Sequence, residues 1–170
     1  MKTILAVTVG VMLASAGSRA AEPFPVPTSG NDIRAAYQAP ENHVGRVVGL
    51  GGMIREIKNG PHGKPLVQVV LPKPNDAGTT IWIGLLVKPK PGQVRNGEII
   101  RVLGYLAKVD ADDTLTAYVV HDPLFVLGMC LVIQSTKEGL YSPEASRQCA
   151  EWQNGAAPGS LSKMSGRGHR

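Results

Sequence analysis

Cysteine and histidine are scarce in this sequence, and their spacing excludes the common metal sites. The 170 residues include two cysteines, Cys130 and Cys149, which do not form a Cys-x-x-Cys motif. No pair of histidines has the i, i+4 or short-loop spacing of zinc ligands. The sequence therefore predicts no metal site and no cofactor. The four histidines are His43, His62, His121 and His169.

The N-terminus lacks an apolar run long enough to cross a bilayer. The run from Ile4 to Ala16 is shorter than the about 20 residues that a transmembrane helix needs. It follows Lys2 and precedes the small residues Ser18 and Ala20, which is the pattern of a secretory signal peptide. We predict that residues 1–20 are a signal peptide, cleaved after Ala20 or less favourably after Ala16.

The lipid-anchor cysteine of a lipoprotein signal is also missing. Leu13-Ala14-Ser15 is followed by Ala16 where an acylated cysteine would stand. We therefore expect a periplasmic or secreted protein with neither a transmembrane segment nor a lipid anchor. In such an oxidising compartment, two cysteines predict one disulfide between Cys130 and Cys149, and a redox or metal-binding pair is the alternative.

An excess of one charge is absent from the central part of the chain. Residues 21–156 contain thirteen Lys or Arg and thirteen Asp or Glu, although the whole chain has a formal charge of +5. A nucleic-acid-binding face needs cations concentrated on the folded domain, so we expect no nucleic-acid partner. Residues 156–170 are rich in Ser, Gly and cations and predict a disordered basic tail.

Long segments with a helical period are lacking, and β-branched apolar runs alternate with turn residues instead. This spacing is typical of a small barrel or sandwich. We predict a mainly β fold, a small OB-like five- or six-stranded barrel with a short C-terminal helix, over residues 44–155. The expected strands are Val44 to Lys58, Pro65 to Leu71, Thr79 to Val87, Glu98 to Val109, Leu115 to His121 and Leu124 to Ile133.

Two short helical segments are expected beside the barrel. Residues 21–43 predict an extended lead-in with one helical turn at Asn31 to Gln38, capped by Asn31 or Asp32. The C-terminal helix is expected to begin with Ser142 as cap and to end at Asn154-Gly155. Its residues Ala145, Cys149 and Trp152 would share one face that packs on the barrel.

The first and fourth predicted strands carry a resemblance to a known fold. The stretch from Val47 through Gly51-Gly52-Met53 to Ile57, together with Asn96 to Gly104, resembles the OB-fold. Gly45-Arg46-Val47-Val48 and Gly51-Gly52-Met53-Ile54 followed by Asn59 are also similar to the starvation-inducible outer-membrane lipoprotein family. The resemblance implies a barrel used for binding or assembly, without catalytic residues.

Aromatic residues make up 5% of the chain, and three of them lie in predicted strands. Trp82, Tyr105 and Tyr118 are candidates for a platform on which bases or sugars stack, although single aromatics are also common in half-buried strands. His121-Asp122-Pro123 can supply a base oriented by a carboxylate, but it equally fits a turn. An acidic cluster is formed by Asp110, Asp112 and Asp113. It offers oxygen ligands as a calcium loop does, but a solvated turn between strands is the favoured interpretation.

The missing catalytic motifs lead to a functional hypothesis. No Gly-x-Ser-x-Gly elbow is present, and we predict no catalytic residues. The leading expectation is a non-enzymatic binding or interaction module of the bacterial cell envelope, whose partner is an unknown envelope protein or ligand. The alternatives are a small periplasmic enzyme, either a hydrolase or a thiol redox enzyme, and a glycan- or oligonucleotide-binding OB barrel.

Overall fold

A computed structural model describes residues 28–72, 78–109 and 120–154. The predicted signal peptide, the predicted basic tail, Tyr118, Asp110 to Asp113 and most of the predicted strand Leu115 to His121 lie outside these ranges. No helix within them is long and apolar enough to span a membrane. The helices are α1 (Gly30–Gln38) and α2 (Ser146–Gln153), and the strands are β1 (Val47–Asn59), β2 (Pro65–Val70), β3 (Thr80–Leu85), β4 (Ile99–Lys108), β5 (Leu124–Ile133) and β6 (Gly139–Tyr141).

Five strands close into a barrel. β1 pairs in antiparallel fashion with β2 on one edge and with β4 on the other, β2 continues to β3, and β4 continues to β5. A short parallel pairing between β3 and β5 closes the ring. β6 adds one further strand to β5 outside the ring. The mainly β barrel with a C-terminal helix is thus confirmed.

β1 is shared between the two sides of the barrel. Residues 47–53 pair with β4, whereas residues 53–59 pair with β2. The strands approach so closely at this bend that a Cβ atom on Gly52 would lie 2.4 Å from the carbonyl oxygen of Val70. Glycine at position 52 is therefore required by the crossing, as expected for a residue that lets a strand bend.

Helix α1 contributes to the barrel core. Its residues Ile33 and Ala36 are fully buried in the same cluster as the inward-facing residues of the five strands. The single helical turn expected at Asn31 to Gln38 is too short a prediction, because Gly30–Gln38 forms a helix of nine residues at that place. The predicted cap is also wrong, because Ser29 caps the helix and Asp32 reaches back to the Ser29 amide in a capping box.

A bulge in β5 changes which face its residues occupy. The register with β4 shifts between Leu103, opposite Cys130, and Gly104, opposite Gly128, so that Met129 is the extra residue. Val126 before the bulge and Leu131 after it both belong to the core cluster, although they are an odd number of residues apart. The shift turns Cys130 outward.

The outward-facing Cys130 holds the C-terminal helix. The sulfur atoms of Cys130 and Cys149 lie at bonding distance and their Cα atoms are 5.7 Å apart, which confirms the predicted pair. Ala145, Cys149 and Trp152 pack together on the outer surface of the barrel, as the helical spacing predicted. A 3₁₀ turn at Pro143–Ala145 precedes α2. Ser142 stands at the predicted cap position of this turn, but its side chain forms no capping hydrogen bond with the backbone.

Candidate functional site

An open groove crosses the outside of the barrel where β1 passes from β4 to β2. It encloses about 540 Å³. We call it the β1 groove. Its lining residues are Gly51, Gly52, Met53, Val70, Leu71, Pro72, Gly78, Ile99, Ile100, Arg101 and Gln134.

The floor of the β1 groove is formed by glycine backbone. A Cβ atom added to Gly51 would meet the Arg101 Cγ and the Ile100 carbonyl oxygen at 3.9 Å each, which is ordinary van der Waals contact. Gly51 therefore leaves open space that a side chain at this position would occupy. The neighbouring Gly52 differs, because its missing side chain is demanded by the backbone of β2.

The walls of the groove carry apolar side chains that are open to solvent. Met53 and Ile99 lie opposite each other on β1 and β4 and are 47% and 56% exposed. They are two of the four large hydrophobic residues exposed in the part of the chain that the structure describes. An exposed apolar pair beside a concave surface is a feature of binding sites.

Arg101 supplies the positive charge at the groove. Its guanidinium lies 4.8 Å from the centre of the Trp152 ring, which is a cation–π contact. Arg101 is exposed, and none of the three ion pairs formed among the described residues includes it. The guanidinium can therefore approach an anionic group of a ligand without leaving a carboxylate partner.

Trp152 fixes this end of the groove to the C-terminal helix. It is 4% exposed, and its Nε1 atom is buried with no hydrogen-bond acceptor among the described residues. The Cys130–Cys149 bridge joins the same helix to β5. Arg101, the charged residue of the groove, thus packs against a helix that the disulfide attaches to the barrel.

The aromatic residues that the sequence singled out lie elsewhere. Trp82 is 5% exposed and packs with Leu66, Val120 and Phe125, and the Lys58 ammonium stands 6.0 Å from the centre of its ring. This burial makes Trp82 a packing residue and leaves little of its ring accessible for stacking.

Tyr105 is half-buried on β4, where it lies opposite Val47 and Leu127. Burial raises the pKa of its hydroxyl. The strand β5 separates the strands of Tyr105 and Trp82, and Tyr118 lies outside the described residues. The predicted platform is therefore not assembled from the two described aromatics.

His121 and Asp122 precede β5 near helix α1. Burial raises the pKa of Asp122, and the neighbouring His121 opposes part of that rise. Burial also raises the pKa of Tyr37, as does the charge of Asp122, and the Tyr37 hydroxyl donates a hydrogen bond to the Thr80 carbonyl at 3.3 Å. Tyr37 of α1 and Asp122 thus lie close together where α1 packs on the barrel. No cluster of three potential metal ligands occurs within residues 28–72, 78–109 and 120–154.

Comparison with known proteins returned no relatives: no family model, no curated protein and no solved structure matches the chain.

Sequence reasoning missed the groove as a site. The adjacent glycines at 51 and 52 predicted a bend in the first strand. The sequence does not reveal that Gly51 leaves space for a groove, whereas Gly52 permits the close approach of β2. The one available signal was the apolar residue Met53 at a position that faces outward in the alternation of β1.

Proposed function

We propose that the protein is a non-enzymatic binding module that holds an apolar ligand with an anionic group in the β1 groove. The observation that carries this proposal is the coincidence of an open glycine floor, exposed apolar walls and an Arg101 guanidinium without a carboxylate partner among the described residues. Small-molecule sites are typically concave and apolar with few polar groups that fix orientation.

The ligand class follows from the two parts of the site. Met53, Ile99 and Val70 offer apolar surface, which favours the burial of hydrocarbon or aromatic groups at about 25 cal/mol per Å². Arg101 is the one charged side chain among the described lining residues, so an anion is preferred to a cation at the same place. A carboxylate, sulfonate or phosphate attached to an apolar body satisfies both requirements.

We further propose that the barrel is an OB-fold of an exported envelope protein. The strand order β1-β2-β3-β5-β4 around the ring and the long bent β1 support the fold. The signal-peptide pattern of residues 1–20 supports export. Determination of the N-terminus of the protein recovered from the envelope fraction tests export, and we expect it at Ala21.

The groove is a better candidate than the alternatives considered from the sequence. A glycan- or oligonucleotide-binding surface around Trp82 conflicts with the burial of that ring. A thiol redox enzyme needs a reactive thiol, whereas Cys130 and Cys149 are both buried and paired with each other. We therefore place ligand binding at the β1 groove and assign no catalytic residues.

The test is a fluorescence titration of residues 21–170 with two related probes. Anilinonaphthalene sulfonate combines aromatic rings with an anion, and N-phenyl-1-naphthylamine has a similar ring system without charge. We expect the sulfonate to bind more tightly than the neutral probe. Replacement of Gly51 by valine, Gly51→Val, should weaken both probes by about tenfold or more, because the added side chain fills the groove.

Two controls distinguish binding in the groove from non-specific binding of the probes. Gly51→Val should remain folded, because a β-branched residue suits a strand and a Cβ atom at this position would lie 3.9 Å from the nearest side-chain and backbone atoms, Arg101 Cγ and the Ile100 carbonyl oxygen. Arg101→Gln should weaken the sulfonate by about fivefold, equivalent to about 1 kcal/mol, and leave the neutral probe unchanged. Equal binding to wild type and a folded Gly51→Val variant would overturn the proposal.

A further inference from the structure

Met53 stands where β1 changes partners, and it is open to solvent. It lies opposite Ile99 on β4 and opposite Val70 on β2, and it is 47% exposed. All three residues line the β1 groove. The thioether of Met53 therefore belongs to the middle of the apolar wall, where small molecules in solution can reach it.

The other methionine among the described residues is less accessible. Met129 is the extra residue of the β5 bulge, is half-buried and packs against the cluster that contains Cys149 and Trp152. An oxidant must reach the sulfur atom of a methionine in order to convert it into a sulfoxide. Met53 should therefore be oxidised before Met129.

Arg101 lies within reach of the Met53 side chain. Because Arg101 is opposite Gly51 and Met53 is opposite Ile99, Met53 and Arg101 are diagonal neighbours. Such neighbours on antiparallel strands are about 7–8 Å apart, a distance that long side chains can bridge. Gly51 places no side chain between them. Arg101 has no ion-pair partner among the described residues, and its guanidinium carries several N–H donors.

We propose that Met53 is an oxidation site that regulates the β1 groove. Hydrogen peroxide or a related peroxide converts its thioether into a sulfoxide, whose oxygen accepts a hydrogen bond from the Arg101 guanidinium. In this step the O–O bond breaks and an S–O bond forms, the sulfur atom gives up an electron pair, and hydrogen peroxide is reduced to water. The regulatory meaning of this inference rests on the proposed function.

The sulfoxide changes both parts of the site. It replaces an apolar side chain of the wall with a polar one. It also gives Arg101 a neutral acceptor that competes with the anionic group of the ligand. Oxidation should therefore weaken the binding of every apolar ligand, and it should weaken the binding of an anionic one further.

The test treats residues 21–170 with hydrogen peroxide and measures the oxygen added to each methionine by peptide mass spectrometry. We expect Met53 to gain an oxygen atom before Met129 does. The oxidised protein should bind anilinonaphthalene sulfonate about tenfold more weakly and N-phenyl-1-naphthylamine about threefold more weakly than the untreated protein. Equal losses for the two probes, or oxidation of Met129 in preference to Met53, would overturn the proposal.

Two leucine variants are matched controls, and both keep Met164. Met53→Leu retains an apolar side chain of similar size without the sulfur atom, so peroxide should leave its binding of both probes unchanged. Met129→Leu should lose affinity after oxidation as the wild type does. In Arg101→Gln, oxidation should weaken both probes equally, because the charge for which the sulfoxide competes is gone. A loss in Met53→Leu as large as that in the wild type would overturn the proposal.

The nuclear magnetic resonance signal of the Arg101 Nε–H group gives a readout that needs no probe. Oxidation should shift this signal in the wild type and leave it in place in Met53→Leu. If the untreated protein binds neither probe and this shift occurs, the contact between Met53 and Arg101 is supported and the proposed function is overturned. If the untreated protein binds both probes and oxidation of Met53 changes neither binding nor the signal, the inference is overturned and the proposed function stands.

Discussion

The guanidinium of Arg101 lies 4.8 Å from the centre of the Trp152 ring, so that one wall of the β1 groove is continuous with the C-terminal helix. Arg101 belongs to β4 and Trp152 to α2, and the Cys130–Cys149 bridge attaches α2 to β5. The position of the positive charge at the groove therefore depends on an element that the sequence places after the barrel. Trp152 and the two cysteines can thus affect the binding of an anionic ligand without contacting it.

Removal of the bridge is expected to destabilise the fold. The cysteines are 19 positions apart in the sequence, and closing a loop of this size contributes about 3 kcal/mol in the chain-entropy model. The double variant Cys130→Ala/Cys149→Ala should lose about that much free energy of unfolding in urea denaturation. A reductant should lower the stability of the wild type and leave the double variant unaffected. Equal stability of variant and wild type would contradict the bridge.

The two adjacent glycines of β1 should respond oppositely to alanine. Gly52→Ala places a Cβ atom 2.4 Å from the Val70 carbonyl oxygen, so we expect a loss of about 1–3 kcal/mol in the free energy of unfolding. Gly51→Ala meets no atom closer than 3.9 Å and should be neutral or stabilising by about 0.5–1 kcal/mol. Urea denaturation of both variants checks this. A larger loss for Gly51→Ala than for Gly52→Ala would contradict the geometry of the crossing.

The cap of α1 should contribute to global stability. Ser29 accepts a hydrogen bond from the Asp32 amide, and Asp32 accepts one from the Ser29 amide. Because Ile33 and Ala36 are part of the barrel core, Ser29→Ala should lower the free energy of unfolding by about 1 kcal/mol. Gln38→Ala, at an exposed position of the same helix, is the control and should change stability little. An unchanged thermal midpoint for Ser29→Ala would show that the capping box is unimportant.

Asp122 should make stability fall as the pH rises. Burial raises its pKa in the folded protein, so the folded state binds the proton more tightly than the unfolded chain does. The free energy contributed by the protonated carboxyl is present below the ordinary pKa and is lost as the pH rises through the raised value. Asp122→Asn should therefore gain stability relative to the wild type between pH 3 and pH 7. Urea denaturation at several pH values checks this. If the stability advantage of Asp122→Asn over the wild type shrank as the pH rises from 3 to 7, the raised pKa of Asp122 would be contradicted.

The strands of the barrel could be predicted because each carries its own signal. The apolar runs around Val48, Val67, Ile81, Val102 and Val126 are bounded by turn residues, and the structure places a strand at each. β6 was missed because three residues, Gly139–Tyr141, are too few for alternation to be visible. The full α1 was underestimated, because its stability depends on burial of Ile33 and Ala36 beneath strands that are distant in sequence.

The groove could not be predicted, because it is a product of strand crossing. Met53 faces Val70 on one side and Ile99 on the other, and these three residues are far apart in the chain. The closure of the ring through Ile83 and Val126 is equally non-local. Trp82 was a reasonable ligand candidate from composition, and only the packing of Leu66 and Phe125 around it reveals its burial.

Amide chemical shifts of residues 21–170, recorded during titration with anilinonaphthalene sulfonate, test the groove most directly. We expect the largest changes at Gly51, Gly52, Met53 and Arg101, together with the indole signal of Trp152. The same changes should be absent from Gly51→Val. Shifts centred instead on Gln68 and Trp82, with Gly51 and Met53 unmoved, would contradict the assignment of ligand binding to the β1 groove.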